Sequence, residues 1–577
     1  MTMAGPIDPQ ADGIEPGRRL IRIGDRGMSL AERVSTHFHK LTWRTPLHAL
    51  RLRGRYPLKL LAVPFDPVAG EADAGADILD GWIAHLTEAA EIETLDFAAP
   101  GRSAGFVDHL QSFAWLRDLA AAAPRERAAP VAELVMRRWL ADYATVVDPV
   151  AWRPDLWGRR ILNWTAHAPL ILSSADLVYR SAVLNALARG ARHLDRVADK
   201  APLGLQRIAA WGGVIAAGLL IPGGEPRRLR GEMGIARALA QAVTADGGIV
   251  SRSPVELVQL VELLSQLARV YDVRREEIPD SVAGALARAV PALLGVTMGD
   301  GRLSSWQGGG PLTTRRVENA VAASAVRARP LRQARDWGYQ RLAGGQTVLV
   351  MDCAPPPASR LARGGCASTL AFELSDGASR LIVNCGGDRP GGPLPQSIAE
   401  ALRTTAAHST LVMADSNSTA IHMDGSLGRG VGEVELERHE QEAASRIEAS
   451  HDGYVRRFGF THRRTLALSS DGRELRAEDI LLPAGRSRPA SQATGFAIRF
   501  HLGIGVEATA TADGLGALLR IADGPLWQFR CRGGTLAIDE SIWIDGRGRP
   551  KPSQQLIVAG EAPPGGTSVA WVLKRAG

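Results

Sequence analysis

The sequence predicts a multidomain α+β protein, with helices in the first half and an antiparallel β-sandwich in the second. At 577 residues the chain is longer than a single hydrophobic core usually serves, so we expect two or three domains. The spacing of apolar residues changes between about residues 300 and 340, from a helical period to strict alternation. We therefore place helices before this change and strands after it.

The first half carries the apolar periodicity of amphipathic helices. Apolar residues recur at every fourth position of 131–143, and those of 255–271 form one stripe with polar residues off it. Ser253 and Pro254 precede the second segment, and proline is favoured in the first turn of a helix. Similar segments recur between about residues 75 and 300 without strand patterns between them. We therefore expect helices packed on helices.

The second half alternates apolar and polar residues, as half-buried strands do. The clearest cases are 475–481 and 496–502. Asp-Gly pairs that end at Gly472 and Gly514 are typical turn signals between such strands. This pattern predicts antiparallel sheets with one face on a core, stacked as a sandwich of many strands.

Composition and charge narrow the class of partner. The chain is 45% apolar and 22% charged, and its net charge of +7 rests mainly on arginine. Arginine forks bind carboxylates, sulfates and phosphates, which makes an acidic polysaccharide a candidate partner. The alternative explanation for the arginine content is the base composition of the genome, which would place arginine wherever lysine would serve as well. No basic run with interleaved aromatic residues is present, so no nucleic-acid partner is expected.

Targeting signals are not apparent in the sequence. No stretch approaches about 18 uncharged apolar residues, so no transmembrane segment is expected. Residues 1–26 lack the apolar core of a signal peptide, which makes the cytoplasm the default location. The four cysteines show no CxxC spacing, so a disulfide framework is not expected. The oligomeric state is left open.

An ordered set of motifs in the second half carries a family resemblance. They read Leu-Ala-Phe-Glu-Leu at 370–374, Leu-Ile-Val-Asn-Cys-Gly at 381–386, Ala-His-Ser-Thr-Leu-Val at 407–412, His-Asp-Gly-Tyr at 451–454 and Phe-Thr-His-Arg-Arg at 460–464. This set resembles the C-terminal domain of the heparinase II/III-like proteins, a polysaccharide lyase superfamily. The resemblance implies an N-terminal incomplete (α/α) toroid followed by a C-terminal antiparallel β-sandwich, with a substrate groove between them.

The resemblance and the change of period together divide the chain. We place a partly ordered N-terminal extension at 1–74, the (α/α) toroid at 75–310, a linker at 311–340 and the heparinase II/III-like β-sandwich at 341–577. Lytic members of the family are commonly exported. The resemblance therefore makes the periplasm or cell envelope the alternative to the cytoplasm.

Lytic members of the family cleave uronate polysaccharides by β-elimination. A donor neutralises the substrate carboxylate, a base removes the C5 proton, and an acid protonates the leaving oxygen. The resemblance implies an Asn-His pair and a Tyr from the toroid. It also implies a His-x-His pair from the sandwich, which supplies one catalytic group and one ligand of a structural zinc ion. Carried onto this sequence, the pairs fall at 205–206 and 364–366, and the tyrosine falls at Glu256.

Several of these positions hold side chains that cannot perform the family's chemistry. Leu205 and Gln206 stand at the Asn-His pair, and Cys366 ends the segment that stands at His-x-His. Asn384 stands at an acidic zinc ligand, and His408 alone matches its family counterpart. The pattern therefore predicts either loss of the standard lyase apparatus or its replacement by other groups.

Glu256 is the candidate replacement base, since a carboxylate in an apolar site can have its pKa raised toward neutrality. Arg252 or Gln206 would then neutralise the substrate carboxylate, and His408 completes the candidate catalytic set. The alternatives are a solvated helix position for Glu256 and a structural role between strands for His408.

Cys366 and His408 also form a candidate zinc site. Thiolate and imidazole are sound zinc ligands, and a cysteine in place of a histidine would preserve such a site. Asn384 is a poor ligand, however, and buried cysteines are common in strands as small apolar residues. Structural zinc and no cofactor at all both remain open at this point.

A group of aromatic and polar residues in the toroid is a candidate glycan-binding surface. Aromatic faces stack on sugar rings, and arginine forks bind uronate carboxylates. The alternative is core packing, because tryptophan is largely buried on average. The candidate residues are Trp115, Trp157, Arg160, Asn163, Trp164 and His167.

These observations lead to one main functional hypothesis and two alternatives. The main hypothesis is a polysaccharide lyase-like protein that acts by β-elimination on an acidic, uronate-containing glycan. The first alternative is a noncatalytic glycan-binding or envelope-biogenesis protein that keeps the fold and has lost the standard catalytic residues. The second is an intracellular scaffold that uses the sandwich surface for protein contacts, which cell fractionation would distinguish.

Overall fold

A computed structural model of the chain describes residues 14, 17–22, 46–54, 56–362, 364–387, 393–485, 492–522 and 524–576. Much of the predicted N-terminal extension lies outside these residues. Within them, a helical region precedes a pair of antiparallel sheets, which confirms the predicted toroid and sandwich. No helix in the described ranges is long and apolar enough to cross a membrane.

The helical domain consists of consecutive helices joined by short connections. Local signals set several of their starts. The Ser103 hydroxyl accepts the N–H of Phe106, the Asp176 carboxylate accepts that of Val178, and one long helix begins at Pro254 as predicted. The helices are α1 (Pro46–Arg51), α2 (Ala72–Leu79), α3 (Ala104–Ser112), α4 (Leu116–Ala122), α5 (Arg125–Tyr143), α6 (Pro154–Ala166), α7 (Ala168–Ile171), α8 (Leu177–Val197), α9 (Leu205–Leu220), α10 (Glu225–Ala242), α11 (Pro254–Arg274), α12 (Asp280–Gly295) and α13 (Thr314–Ser324).

Glycines allow α6 and α9 to approach each other closely. A Cβ atom at Gly158 would lie 2.0 Å from the carbonyl oxygen of Ala209, and one at Gly213 would lie 2.5 Å from Cα of Gly158. Almost every residue of α9 is buried, so this helix lies inside the domain. A larger side chain at either glycine would force the two helices apart.

Two antiparallel sheets form the sandwich, and a separate hairpin lies in the helical domain. Two short helices, α14 (Gln396–Ala401) and α15 (Val455–Phe458), lie in connections of the sandwich. The strands in chain order are β1 (Gly17–Arg22), β2 (Trp82–His85), β3 (Glu88–Glu91), β4 (Tyr339–Gly344), β5 (Thr347–Asp352), β6 (Phe372–Asp376), β7 (Ser379–Val383), β8 (Leu411–Met413), β9 (Glu433–Glu440), β10 (Ala444–His451), β11 (Phe460–Ser469), β12 (Glu474–Pro483), β13 (Thr494–Leu502), β14 (Val506–Ala510), β15 (Gly516–Ile521), β16 (Leu526–Arg532), β17 (Thr535–Ile544), β18 (Pro550–Ala562) and β19 (Thr567–Arg575).

The strand order brings distant parts of the chain together. One sheet runs β1-β9-β10-β11-β12-β19-β16-β15-β14, and the other runs β17-β18-β13-β7-β6-β5-β4 with β8 beside β13. Residues of β11 and β12 alternate between buried and partly exposed, as the sequence pattern predicts. Gly472 and Gly514 have positive φ angles of 72° and 69°, which suit the predicted turns.

A buried charged cluster interrupts the apolar interior of the sandwich. The Asp479 carboxylate accepts hydrogen bonds from Arg464 Nε at 2.7 Å, His462 Nε2 at 2.8 Å and Trp571 Nε1 at 2.9 Å. Arg464 Nη1 also donates to the carbonyl oxygens of Leu370 and Ser409, both at 2.8 Å. The cluster therefore ties β11, β12 and β19 to loops on the opposite side of the core.

The structure adds elements that the sequence pattern did not predict. The segment expected to be a linker, 311–340, contains α13, which packs against α11. The β2–β3 hairpin lies within the range expected to be wholly helical. In the predicted extension, β1 pairs with β9 of the sandwich. Each addition comes from a short segment whose structure depends on distant partners rather than on its own periodicity.

Candidate functional site at the junction of the two domains

The helical domain and the sandwich meet at the loop before α11. Arg252 has a left-handed φ of 56°, and its guanidinium donates to Asp352 Oδ1 at 2.6 Å, Trp337 O at 2.9 Å and Pro355 O at 3.0 Å. The Tyr339 ring lies 4.7 Å from Arg252 Cζ, and the Tyr339 hydroxyl donates to Arg252 O at 2.7 Å. This predicted carboxylate-neutralising residue is therefore buried and engaged in joining the two domains.

A chain of buried hydrogen bonds continues from this ion pair. Ser368 Oγ donates to Asp352 Oδ2 at 2.7 Å and accepts from Gln307 Nε2 at 3.0 Å. Gln307 Oε1 in turn accepts the backbone N–H of Cys366 at 2.9 Å. The segment that the resemblance places at the His-x-His pair is thus held by a side-chain amide from the helical domain.

Four glycines, Gly308, Gly309, Gly364 and Gly387, form a glycine seam at the same junction. A Cβ atom at Gly364 would lie 3.0 Å from Gly308 Cα, and one at Gly387 would lie 2.6 Å from the carbonyl carbon of Gly308. A Cβ atom at Gly309 would lie 3.0 Å from Val255 Cγ2 in the first turn of α11. Backbone therefore packs on backbone here, and the seam borders the start of α11.

Gln206 and Glu256 are the predicted catalytic residues that the structure leaves accessible. Gln206 lies in the first turn of α9 and Glu256 in the first turn of α11, and both are partly exposed. Glu256 follows Val255, the residue against the glycine seam. In the part of the chain that the structure describes, its carboxylate makes no hydrogen bond or ion pair. Glu256 is thus the predicted proton acceptor that is not already engaged by the protein.

The residues proposed for zinc do not fit a metal site. His408 Nδ1 donates to Thr404 O at 2.7 Å, and the Cys366 thiol donates to Gly364 O at 3.3 Å. Asn384 Oδ1 accepts the N–H of Ser409 at 3.0 Å. Burial raises the pKa of the Cys366 thiol to about 11, which disfavours the thiolate that zinc requires. Among the described residues, no group of three His, Cys, Asp or Glu side chains could hold a metal ion.

Buried histidines make the stability of the protein sensitive to acid. Burial lowers the pKa of His408 to about 4 and those of His193 and His501 to about 3. The unfolded chain takes up these protons near pH 6.5, whereas the folded chain does not. Stability should therefore be complete above pH 6.5 and fall below it, by about 1.4 kcal/mol per pH unit for each histidine.

Chemical unfolding between pH 7.5 and pH 4.5 checks this expectation. The His408→Gln variant should show a shallower dependence, reduced by about one proton. His439 is 43% exposed, so His439→Gln is the matched control and should keep the slope of the parent protein. A free energy of unfolding that stays constant between pH 6.5 and pH 4.5 would contradict the assignment.

The six predicted glycan-binding residues lie inside the helical domain. Arg160 donates to Gln111 O at 2.8 Å, and its Cζ lies 4.5 Å from the Trp157 ring. Asn163 Oδ1 accepts from Gln266 Nε2 at 3.1 Å, so its polar groups are also used internally. Their placement is that of core residues, and glycan binding by them would require the helical core to open. The buried set is Trp115, Trp157, Arg160, Asn163, Trp164 and His167.

The structure brings together one group that sequence reasoning missed. Cys385 Sγ lies 3.4 Å from His501 Nδ1, and Ser541 Oγ lies 2.8 Å from the same nitrogen. His501 Nε2 donates to Ala406 O at 2.9 Å, which fixes its tautomer. Burial raises the pKa of Cys385 to about 11, so the pair is a neutral thiol beside a neutral imidazole. Cys385 and His501 lie more than 100 positions apart in the sequence, and no local pattern connects them.

Comparison with known proteins shows which family the second domain resembles. Residues 326–572 match the family model described as heparinase II/III-like, C-terminal. The second domain of the chain is therefore heparinase II/III-like. The resemblance that the motifs predicted is therefore confirmed, and the heparinase II/III-like C-terminal domain corresponds to the sandwich.

Relatives extend the likeness beyond that domain. The crystal structure of heparinase III matches with a TM-score of 0.70 over 99% of this chain and 94% of that chain, at 13% identity. The heparan sulfate lyase HepC of Pedobacter heparinus matches with a TM-score of 0.57 over 94% and 88%, at 13% identity. FtsZ-localized protein C of Caulobacter vibrioides is 29% identical over 441 residues, which cover 74% of this chain and 75% of that protein. The structural matches show that this chain has the fold of polysaccharide lyases.

Proposed function

We propose that this chain acts on an acidic, uronate-containing glycan at the junction of its two domains, by a β-elimination in which Glu256 is the base. The observation that carries the proposal is the accessible carboxylate of Glu256, beside the glycine seam, in a chain that has the polysaccharide lyase fold throughout. The buried Gly309 of the seam packs against the first turn of α11 and so fixes the position of Glu256 at the junction.

The four predicted catalytic residues have different roles in this proposal. Glu256 accepts the C5 proton as a carboxylate, and the Gln206 amide donates a hydrogen bond to the substrate carboxylate. As the C4=C5 double bond forms and the C4–O bond breaks, the protonated Glu256 carboxyl returns its proton to the leaving glycosidic oxygen. Arg252 contributes by holding the loop before α11 against Asp352, since its guanidinium is already engaged. His408 is excluded from proton transfer to substrate by its burial and its hydrogen bond to Thr404.

An ultraviolet assay for the unsaturated uronate product tests this proposal. The substrates are heparan sulfate, alginate, hyaluronan, chondroitin and the exopolysaccharide of the producing cell. Glu256→Gln should lower the rate by about a hundredfold or more, because the amide cannot accept the proton. Glu225→Gln is the matched control, since Glu225 also lies in the first turn of a helix but away from the junction.

The outcomes of this assay are distinct. Activity that is lost in Glu256→Gln and kept in Glu225→Gln supports the assigned base. Activity that both variants retain shows a lyase with a different base. A folded protein that produces no unsaturated uronate from any of these polymers contradicts the elimination chemistry.

A noncatalytic role in cell division is the second candidate, and two observations favour it. The side chains at the family's catalytic and zinc positions are buried, engaged or unable to titrate, as His408, Cys366 and Asn384 show. A relative at 29% identity is named for its localization with FtsZ. This candidate predicts glycan binding without cleavage, measurable by calorimetry, and a fluorescent fusion that localizes with FtsZ at the division site.

A further inference from the structure

A pocket on the helical domain shares no lining residue with the junction. It has a volume of about 280 Å³ and lies between α8 and the loop that follows α9. That loop turns at Gly223, which has a φ of 73°. The principal lining residues are Tyr56, Arg192, Ile221, Pro222, Gly223 and Arg227.

Two arginine side chains give this pocket its chemistry. Arg227 engages Asp195 through its Nε and Nη2 edge, with distances of 2.9 Å to Oδ1 and Oδ2 respectively. Arg192 Nη1 donates to Leu52 O at 3.0 Å, which holds this side chain at the pocket wall. A guanidinium carries five N–H donors, so Arg227 keeps donors outside its pair with Asp195 for a further acceptor, and Arg192 adds a second positive charge at the pocket wall. Two guanidinium charges favour a carboxylate over a neutral group.

The surroundings of the pocket are strongly basic. Arg51, Arg53, Arg196 and Lys200 are exposed near the same ends of α1 and α8. Burial and repulsion from Arg192 and Arg53 lower the pKa of Arg189. A positive field of this kind attracts acidic ligands and weakens as salt rises.

An exposed apolar strip begins at the same pocket. It consists of Leu58, Leu61, Val63 and Phe65, in a segment without helix or strand that starts beside Tyr56. Leu58 is 85% exposed and Phe65 is 77% exposed, although the N–H of Leu61 fixes the segment by donating to Leu220 O at 2.9 Å. Large apolar side chains held outward along one short segment favour an interaction site.

We propose that the pocket and the apolar strip together bind an acidic segment of a partner protein. A carboxylate of that segment sits between Arg192 and Arg227, and neighbouring apolar side chains cover the strip. An acidic glycan supplies carboxylates but has no large apolar side chains to cover Leu58 and Phe65. Phosphatidylcholine and phosphatidylglycerol supply hydrocarbon and phosphate groups but no carboxylate.

Fluorescence anisotropy with the full chain tests this inference. The probe is a labelled decapeptide in which Glu alternates with Leu and Phe. Two comparison peptides replace either every Glu with Gln or every Leu and Phe with Ser. We expect binding of the first peptide alone, and roughly tenfold or greater weakening in Arg192→Gln/Arg227→Gln and in Leu58→Ser/Phe65→Ser.

Control variants establish whether the peptide binds at this pocket and strip. Arg446→Gln removes a half-exposed arginine on β10 and should leave peptide affinity unchanged. Circular dichroism confirms that each variant is folded, and Glu256→Gln should bind the peptide normally because the junction is separate. Equal binding of all three peptides overturns the inference. So does binding to vesicles of phosphatidylcholine and phosphatidylglycerol, or to heparan sulfate, in place of the peptide.

Discussion

Replacing Asp479 with Asn should lower the free energy of unfolding by about 3–5 kcal/mol, because the change leaves the Arg464 guanidinium buried without its counter-charge. Asp479, Arg464 and His462 have fully buried side chains, so water cannot compensate for the loss. Burial opposes ionisation of Asp479. The charge of Arg464 and the hydrogen bond from His462 outweigh that effect and hold the pKa of the carboxyl below its usual range.

Urea or guanidinium unfolding at neutral pH measures this effect. The matched control is Asp513→Asn, which breaks an ion pair with Arg530 whose side chains are 43% and 46% exposed. That control should change stability by less than about 1 kcal/mol. Since the depressed pKa stabilises the fold only above about pH 4, the difference between parent and Asp479→Asn should shrink as the pH falls below that value. Similar losses in the two variants would contradict a stabilising role for the cluster.

Replacing Arg252 with Met should cost a similar 3–5 kcal/mol, and should act on the junction rather than on the sandwich core. The substitution leaves Asp352 buried without its cation and removes hydrogen bonds to Trp337 and Pro355. We expect faster proteolysis near the junction as well as a lower unfolding midpoint, since the loop before α11 loses its attachment to the sandwich.

A double-mutant cycle isolates this pair. The double variant Arg252→Met/Asp352→Asn should lose less free energy of unfolding than the sum of the losses in the two single variants, because neither buried charge then remains alone. Arg137→Met is the surface control, since Arg137 is 44% exposed in its ion pairs with Glu133 and Asp176. An Arg252→Met variant as stable as this control would show that the junction does not depend on the ion pair.

The fold was largely predictable because its signals are local. The apolar stripe over 255–271 identifies α11, and the alternation over 475–481 identifies β12, since each pattern reports which face of an element is buried. The α13 helix within the predicted linker was not predicted because it is short and its burial depends on α11, far away in sequence.

The candidate site was less predictable because its geometry is long-range. Arg252 looks like a free cation in the sequence, and its partner Asp352 lies 100 positions away. The spacing of Trp157, Arg160 and Trp164 along the sequence is compatible with a binding groove and with a packed core. In the structure, α6 is buried on nearly all sides, so these residues belong to the core. Helical periodicity relies on polar residues to mark the exposed face of a helix. It fails here because Arg160 packs between the indole rings of Trp139 and Trp157 inside the domain.

The pairing of β1 with β9 has a consequence for the order in which the protein forms. Gly17 pairs with Arg438, so an early part of the chain leaves the ribosome long before its partner strand exists. The whole helical domain is synthesised in between, and the nine-stranded sheet gains its outer strand only afterwards. A fragment that starts at residue 326 would present β9 as a bare edge, which invites association with other chains. The range that matches the family's C-terminal domain therefore lacks one edge strand of its own sheet in this protein.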